Sequence, residues 1–229
     1  QEVLSTIGVL NATEYAAIVN EGSLTSGGNL IFSDLSKLGV GTNWQNEVFK
    51  NAGMQSHTLN ASGGSDKMSY FISGGYLGQD GIVGGGDKSH FNRANGTANL
   101  NFTLSPKLKL LANTSFVNIK GANVAENGIN SVISNSLNFD PTVTILNTTP
   151  NTYGKYGVSS TILSEIFNPL TQLNDTYNES NTNKLYGKLE LQYDILKNLK
   201  LTSRYGYTNT DVTGKAFNPL SFYGVGHIN

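Results

Sequence analysis

Residues 54–83 read MQSHTLNASGGSDKMSYFISGGYLGQDGIV. Two strands are expected here, joined by a tight turn at Gly63-Gly64-Ser65-Asp66 and followed by a glycine-rich loop. In the second strand Met68, Tyr70, Ile72, Gly74 and Tyr76 share one face, and Lys67, Ser69, Phe71 and Ser73 share the other. Successive strand residues point to opposite faces, so this alternation separates an aromatic and small-residue side from a mostly polar one. A soluble sandwich and a membrane barrel both produce it, and the surrounding chain has to discriminate between them.

Working outward, the pattern predicts strands at 55–62, 67–78, 90–104, 107–119, 182–194 and 199–211. Ala94, Ala98, Leu100, Phe102 and Leu104 oppose Arg93, Asn95, Thr97, Asn99 and Asn101. Leu185, Gly187, Leu189, Leu191 and Tyr193 oppose Tyr186, Lys188, Glu190 and Gln192. Leu199, Leu201, Tyr205 and Tyr207 oppose Lys200, Thr202 and Arg204. The connections alternate between short (Gly63–Asp66, Ser105-Pro106, Ile195–Asn198) and long (Gly78–Ser89, then about 120–181). Transmembrane barrels show this asymmetry, with tight periplasmic turns and long outer loops. Sandwiches distribute loop lengths at both ends. The fold class expected is therefore all-β: an antiparallel transmembrane β-barrel, with short helices in the connecting segments. Tyr70 and Tyr76 would face lipid, and Lys67 and Ser73 a wet lumen.

Composition agrees. Charged residues make up 14% of the 229, against about 25% in ordinary soluble domains. A net charge of −1 leaves no basic excess to neutralise phosphates, so nucleic acid is not an expected partner. Without cysteine there is neither a disulfide framework nor a thiolate metal site. No run of about 18 apolar residues exists for a membrane helix, a test that barrel strands escape. The absence of a signal sequence before Gln1 and the ending SFYGVGHIN read as a piece of a longer protein.

Residues 1–54 read as connecting structure. Thr13 is expected to cap a helix through Glu14–Val19 that ends near Gly22, and Thr42 to cap a turn over Asn43–Phe49 carrying Trp44. In the long excursion, Ile129, Val132, Ile133 and Leu137 stand at helical spacing within Glu126–Asn138, with Pro141 beyond the stop.

Several segments stand out by order and spacing: Glu14-Tyr15-Ala16 with Asn20-Glu21, Asn43-Trp44-Gln45-Asn46-Glu47-Val48-Phe49, Met54-Gln55-Ser56-His57, Ser62-Gly63-Gly64, Tyr70-Phe71-Ile72-Ser73-Gly74-Gly75-Tyr76, Gln79-Asp80-Gly81-Ile82-Val83, Asn168-Pro169-Leu170 and Asn181-Thr182-Asn183-Lys184-Leu185. Together they resemble the SusC/RagA family of TonB-dependent outer-membrane transporters of the Bacteroidota. The resemblance implies part of a barrel of about 22 strands occluded by a plug. Residues 1–54 would connect plug to barrel, and 55–229 would be barrel with a long extracellular loop at about 120–181. It further implies a bacterial outer-membrane location and import of large nutrients, mostly oligosaccharides and in some members peptides. The partners it implies are a SusD-like surface lipoprotein and a TonB–ExbB–ExbD complex acting through a segment ahead of this chain. The competing reading is a non-transporting β-sandwich adhesin or carbohydrate-binding module.

No catalytic or cofactor constellation stands out, so the chain is not expected to be an enzyme. His57, His90 and His227 are scattered, with no His-x-x-x-His or His-Glu pair for zinc. Gly84-Gly85-Gly86 fits no phosphate-loop pattern and reads as a tight outer turn. Gln79-Asp80-Gly81 lacks the alternating carboxylates of a calcium loop. Trp44 could stack on a sugar, though its position favours packing. For substrate contact the aromatic and amide residues of the excursion are the candidates: Tyr153, Tyr156, Phe167, Asn174 and Tyr177.

Overall fold

Six consecutive strands, β1 (Met54–Ser65), β2 (Met68–Asp80), β3 (His90–Ser105), β4 (Leu108–Ala122), β5 (Tyr177–Leu196) and β6 (Leu199–Phe217), pair antiparallel in sequence order into one sheet. The computed structural model describes residues 2–148, 155–162 and 166–219. All six expected strands are present, and each is longer than its alternation suggested. β5 begins at Tyr177 rather than 182, which shortens the excursion to 123–176.

The three short connections are two-residue turns at Asp66-Lys67, Pro106-Lys107 and Lys197-Asn198. Gly63 and Gly64 are therefore strand residues and not the turn expected of them. The register explains why glycine stands there. Gly63 pairs with Tyr70, and a β-carbon on it would lie 2.7 Å from the tyrosine hydroxyl. Gly64 pairs with Ser69, and a β-carbon there would lie 2.7 Å from the Met68 carbonyl oxygen. The missing side chains let the neighbouring strand close over them.

The register aligns the apolar positions of every strand on one face. One row runs Gly63, Tyr70, Leu100, Ala112, Leu189 and Tyr205, and the next runs Ala61, Ile72, Ala98, Thr114, Gly187 and Tyr207. On β4 this face extends from Leu108 to Phe116 without a charge. Its partners from Tyr193 to Leu185 on β5 and from Leu201 to Asn209 on β6 also carry none. The eight rises from Leu108 to Phe116, at roughly 3.4 Å each, measure about 27 Å along the strand, or about 20 Å in height at a usual barrel tilt, close to the apolar band of a membrane barrel. Nothing among the described residues packs on this face. Leu189 and Tyr205 are half or more exposed, so the two-layered sandwich alternative finds no second sheet. β1 and β6 are open edges, exposed along their whole length.

The buried core lies at one end of the sheet. β1 starts at Met54, opposite Gln79, where the long connections emerge. Residues 2–53 thus gather with those connections, at the end away from the two-residue turns. Helices α1 (Ala12–Thr25), α2 (Trp44–Val48), α3 (Val132–Asn138) and α4 (Pro169–Asp175), with Val83 from the β2–β3 loop, form a cap. Trp44, Val48, Val83, Val132, Phe139, Leu170 and Leu173 are its buried cluster.

The helix starts differ from expectation. Asn11, not Thr13, caps α1: its side chain accepts from the Glu14 amide, and Glu14 reaches back to the Asn11 amide. That reciprocal box needs a three-residue offset, which Thr13 lacks. Asn43, not Thr42, caps α2, while the Thr42 hydroxyl donates to the Val143 carbonyl at 2.7 Å. α3 starts only at Val132, capped by Ser131, because Gly128 and Asn130 adopt positive φ and interrupt the helix expected from Glu126. α4 follows Asn168, whose side chain accepts from the Leu170 amide, with Pro169 in its first turn.

Candidate functional site

Two surfaces could meet a solute: the polar face of the sheet and the cap above it. On the polar face, cross-strand amides and hydroxyls form ladders. Asn113 donates to Asn99 at 2.7 Å, Asn101 to Ser69 at 3.2 Å, and Thr97 meets Ser115 at 3.3 Å. Near the turn end Glu190 is almost wholly buried. Its carboxylate takes Lys188 at 3.1 Å and Arg204 at 2.8 Å, together with the Gln192 amide at 2.6 Å. A carboxylate removed from water is costly unless charges and hydrogen bonds satisfy it, and two cations and an amide do so here. The face presents fixed hydrogen-bonding groups and one satisfied carboxylate, opposite the apolar face.

The cap is organised around Asp140, 2% exposed. Its Oδ1 accepts from the Thr142 amide at 2.8 Å and hydroxyl at 2.6 Å. Its Oδ2 accepts from the Ser159 hydroxyl at 2.6 Å and the Thr161 hydroxyl at 2.8 Å. The Tyr15 hydroxyl of α1 joins at 3.0 Å from Thr161, and Trp44 Nε1 donates to the Asp140 carbonyl at 2.9 Å. Residues 140–142 and 159–161 are tied at this carboxylate, with Trp44 joined through the Asp140 main chain and Tyr15 through Thr161. Burial raises the Tyr15 phenol above its ordinary range. The hydrogen bond to Thr161 offsets part of that rise, and the Asp140 charge adds to it. Gly41, at φ +72°, sits where the Pro141 carbonyl and Ala12 close in, leaving no room for a β-carbon. Asn135 donates to Gln172 at 2.8 Å, and Gln172 donates to the Asn130 carbonyl at 2.6 Å, locking α3 to α4.

Trp44, 2% exposed and edge-on to Phe139 at 5.1 Å, is a packing residue and presents no face to a sugar. Its edge lines one wall of a cavity of about 520 Å³ beside Tyr15, Leu10 and Asn138.

Of the five expected substrate residues, the four that are described do not share one surface. Tyr153 lies outside the described residues. Tyr156 packs half-buried against the cap core, paired with Leu146, with the Lys155 ammonium 5.3 Å over its ring. Phe167 is half-buried just before α4. Asn174 is exposed on α4, its amide donating to the Leu170 carbonyl at 2.8 Å. Tyr177 is not in the loop at all. It opens β5 on the face that carries the apolar belt and stacks on Phe217 at 5.9 Å. Asp140 went unnoticed in the sequence, and Glu190 was read only as one of several polar-face residues, because single acids among polar residues carry no distinguishing spacing. His57 pairs across to Tyr76 on β2, and among the described residues no cluster of acids and histidines could hold a metal.

No family model matches the chain. Among curated proteins it is 24% identical over 241 residues to TonB-dependent receptor P3 of Formosa agariphila, spanning 99% of this chain and 22% of that protein. It is 31% identical over 135 residues to TonB-dependent receptor SusC of Bacteroides thetaiotaomicron, spanning 58% of this chain and 12% of that one. The chain thus covers less than a quarter of the length of the curated relatives it matches. Two solved structures share the fold. The RagAB peptide transporter superposes with a TM-score of 0.57 at 17% identity, over 77% of this chain and 20% of that one. The RagAB peptide importer in its closed-closed state does so with 0.65 at 17% identity, over 94% and 27%. The chain is similar to TonB-dependent receptors of the SusC/RagA type, and it shares its fold with part of the RagAB transporter.

Proposed function

We propose that this chain is a wall segment, with its outer cap, of a TonB-dependent outer-membrane transporter that imports large nutrients, oligosaccharides or peptides. The observation that carries the reading is the two-faced sheet: one face is charge-free over about 20 Å of height, close to the apolar band of a membrane barrel, and the other holds amide, hydroxyl and ion-pair ladders. A SusD-like lipoprotein would sit over the cap, and a TonB–ExbB–ExbD complex would supply energy through parts of the protein outside this chain. Residues 55–229 belong to the barrel. Residues 2–53, the β2–β3 loop and the described part of the excursion stand together on the outer side. Substrate contact falls to exposed cap groups such as Asn174 and to the polar face of the sheet. The ring of Tyr156, packed against the core cluster, shapes the cap from within.

Deleting the full-length gene and measuring growth on defined polysaccharides and on peptides as sole nutrients tests the proposal. Loss of growth on one class, restored by the intact gene, is expected. Undiminished uptake of every nutrient by the deletion strain would defeat it.

A further inference from the structure

Above the charge-free belt, and on the same face of the sheet, the strands carry a polar pocket of about 420 Å³. Lys120 of β4, Glu179 and Asn181 of β5, Thr213 and Lys215 of β6, and His90 of β3 line it. The register places them in adjacent rows: Lys120 beside Asn181 and Asn181 beside Thr213, then Glu179 beside Lys215. The pocket therefore faces outward, as the belt does, and not into the polar interior. Among the described residues no carboxylate lies within ion-pair distance of Lys120 or Lys215. The lining holds these two lysines against the single carboxylate of Glu179, with Asp211 one row nearer the belt. His90 is anchored through Nδ1 to the Gly86 carbonyl at 2.8 Å.

Below it on the same strands lies an apolar trough of about 230 Å³. Small residues floor it, among them Ala98, Ala112, Thr114 and Gly187, and Tyr205 and Tyr207 flank it. From Asn181 in the pocket to Gly187 in the trough is six residues of β5, roughly 20 Å along the strand and about 15 Å along the membrane normal at a usual barrel tilt. Half of a hydrocarbon core of about 30 Å is the same distance. One amphiphile fits both: an anionic head against the lysines, its hydroxyls against Asn181, Thr213 and Glu179, and an acyl chain laid in the trough.

Building on the membrane location proposed above, we infer that Lys120 and Lys215 hold the phosphate of an anionic outer-leaflet lipid whose acyl chain occupies the trough. A juxtamembrane lysine contributes about a fivefold preference for anionic over neutral headgroups. The test uses the full-length receptor reconstituted in nanodiscs of phosphatidylcholine containing a minority of phosphatidylglycerol, with retained lipid read by native mass spectrometry. Wild type should retain phosphatidylglycerol preferentially. Lys215→Gln should weaken that preference about fivefold, and the Lys120→Gln/Lys215→Gln pair more, while Lys109→Gln on the polar face leaves it unchanged. Heat-modifiable migration on gels confirms that each variant is folded, and the single Lys215→Gln variant decides the matter should the pair fail to fold. Equal retention in wild type and variants overturns the inference, and so does displacement of the lipid by millimolar inorganic phosphate, which would mark a phosphate site and not a lipid site. Membrane fractionation of cells is read alongside: a receptor found outside the outer membrane defeats the transporter reading, whereas an outer-membrane receptor with indifferent lysines defeats this inference alone.

Discussion

The indole nitrogen of Trp44 donates to the main-chain carbonyl of Asp140 at 2.9 Å, across 96 positions of sequence. This bond and the aromatic contact with Phe139 join α2, which leads into the first strand, to the excursion between the fourth and fifth. The cap is thus one packed body made from the chain's most distant parts.

Trp44→Ala should open that body while leaving the sheet intact. Emptying a buried indole site costs roughly 3–5 kcal/mol. Hydrogen exchange on the full-length protein should show lost protection at residues 44–53 and 132–143 and unchanged protection in the strands. Unaltered exchange at 132–143 would mean that the contact contributes little.

Asp140→Asn keeps the shape but replaces one carboxylate oxygen with a donor facing the Ser159 and Thr161 hydroxyls or the Thr142 groups. Leaving such buried groups mismatched costs about 1–3 kcal/mol. Protease cleavage within the excursion should accelerate, and Asp140→Ala should be worse. A cleavage rate equal to wild type in both variants would show that the network is dispensable.

Tyr15 gives the cap an alkaline limit. Its phenol is raised above the ordinary value, chiefly by burial, so the folded state keeps a proton that the unfolded chain releases near pH 10. The stability contribution is complete below that pH and is lost as the pH climbs through the higher folded value. Ultraviolet difference titration of wild type against Tyr15→Phe should reveal one tyrosine ionising late, and Asp140→Asn should bring it earlier. A single normal transition for all tyrosines would contradict this.

The two glycines before the first turn should differ in tolerance. At Gly63 a β-carbon meets the end of the Tyr70 side chain, which can swing away. At Gly64 it meets the Met68 main chain, which cannot. Gly64→Ala should lower the folded fraction in outer-membrane preparations more than Gly63→Ala does, and the reverse order would refute the register argument.

The belt should reject charge by face. Leu189→Arg places a guanidinium mid-belt, at about 2–4 kcal/mol, and folded receptor should drop. Lys188→Arg, one residue away on the polar face beside Glu190, should be tolerated. Similar yields of both would argue against a lipid-facing belt.

The sheet was legible in the sequence because its information is local. Leu189 and Lys188 face opposite ways by chain geometry alone, and short turns at 66–67, 106–107 and 197–198 fix which strands neighbour which. Even so, Gly63 and Gly64 were misread as turn, since glycine signals a tight turn and a close cross-strand approach equally well. The helices of the cap were less legible. Five residues of α2 and seven each of α3 and α4 hold too few turns for a helical period, and α4 gave no expected helix at all. What brings Trp44, Val83, Val132 and Leu170 together is the sheet, whose register delivers the start of β1, the end of β2 and the flanks of β4 and β5 to the same end. The sequence by itself determined the strands, their two faces and the alternation of short and long connections. Only the tertiary structure decided where the buried core lies, that Tyr177 faces with the belt, and that two lysines from β4 and β6 share one outward pocket, because each depends on cross-strand register that no single segment encodes.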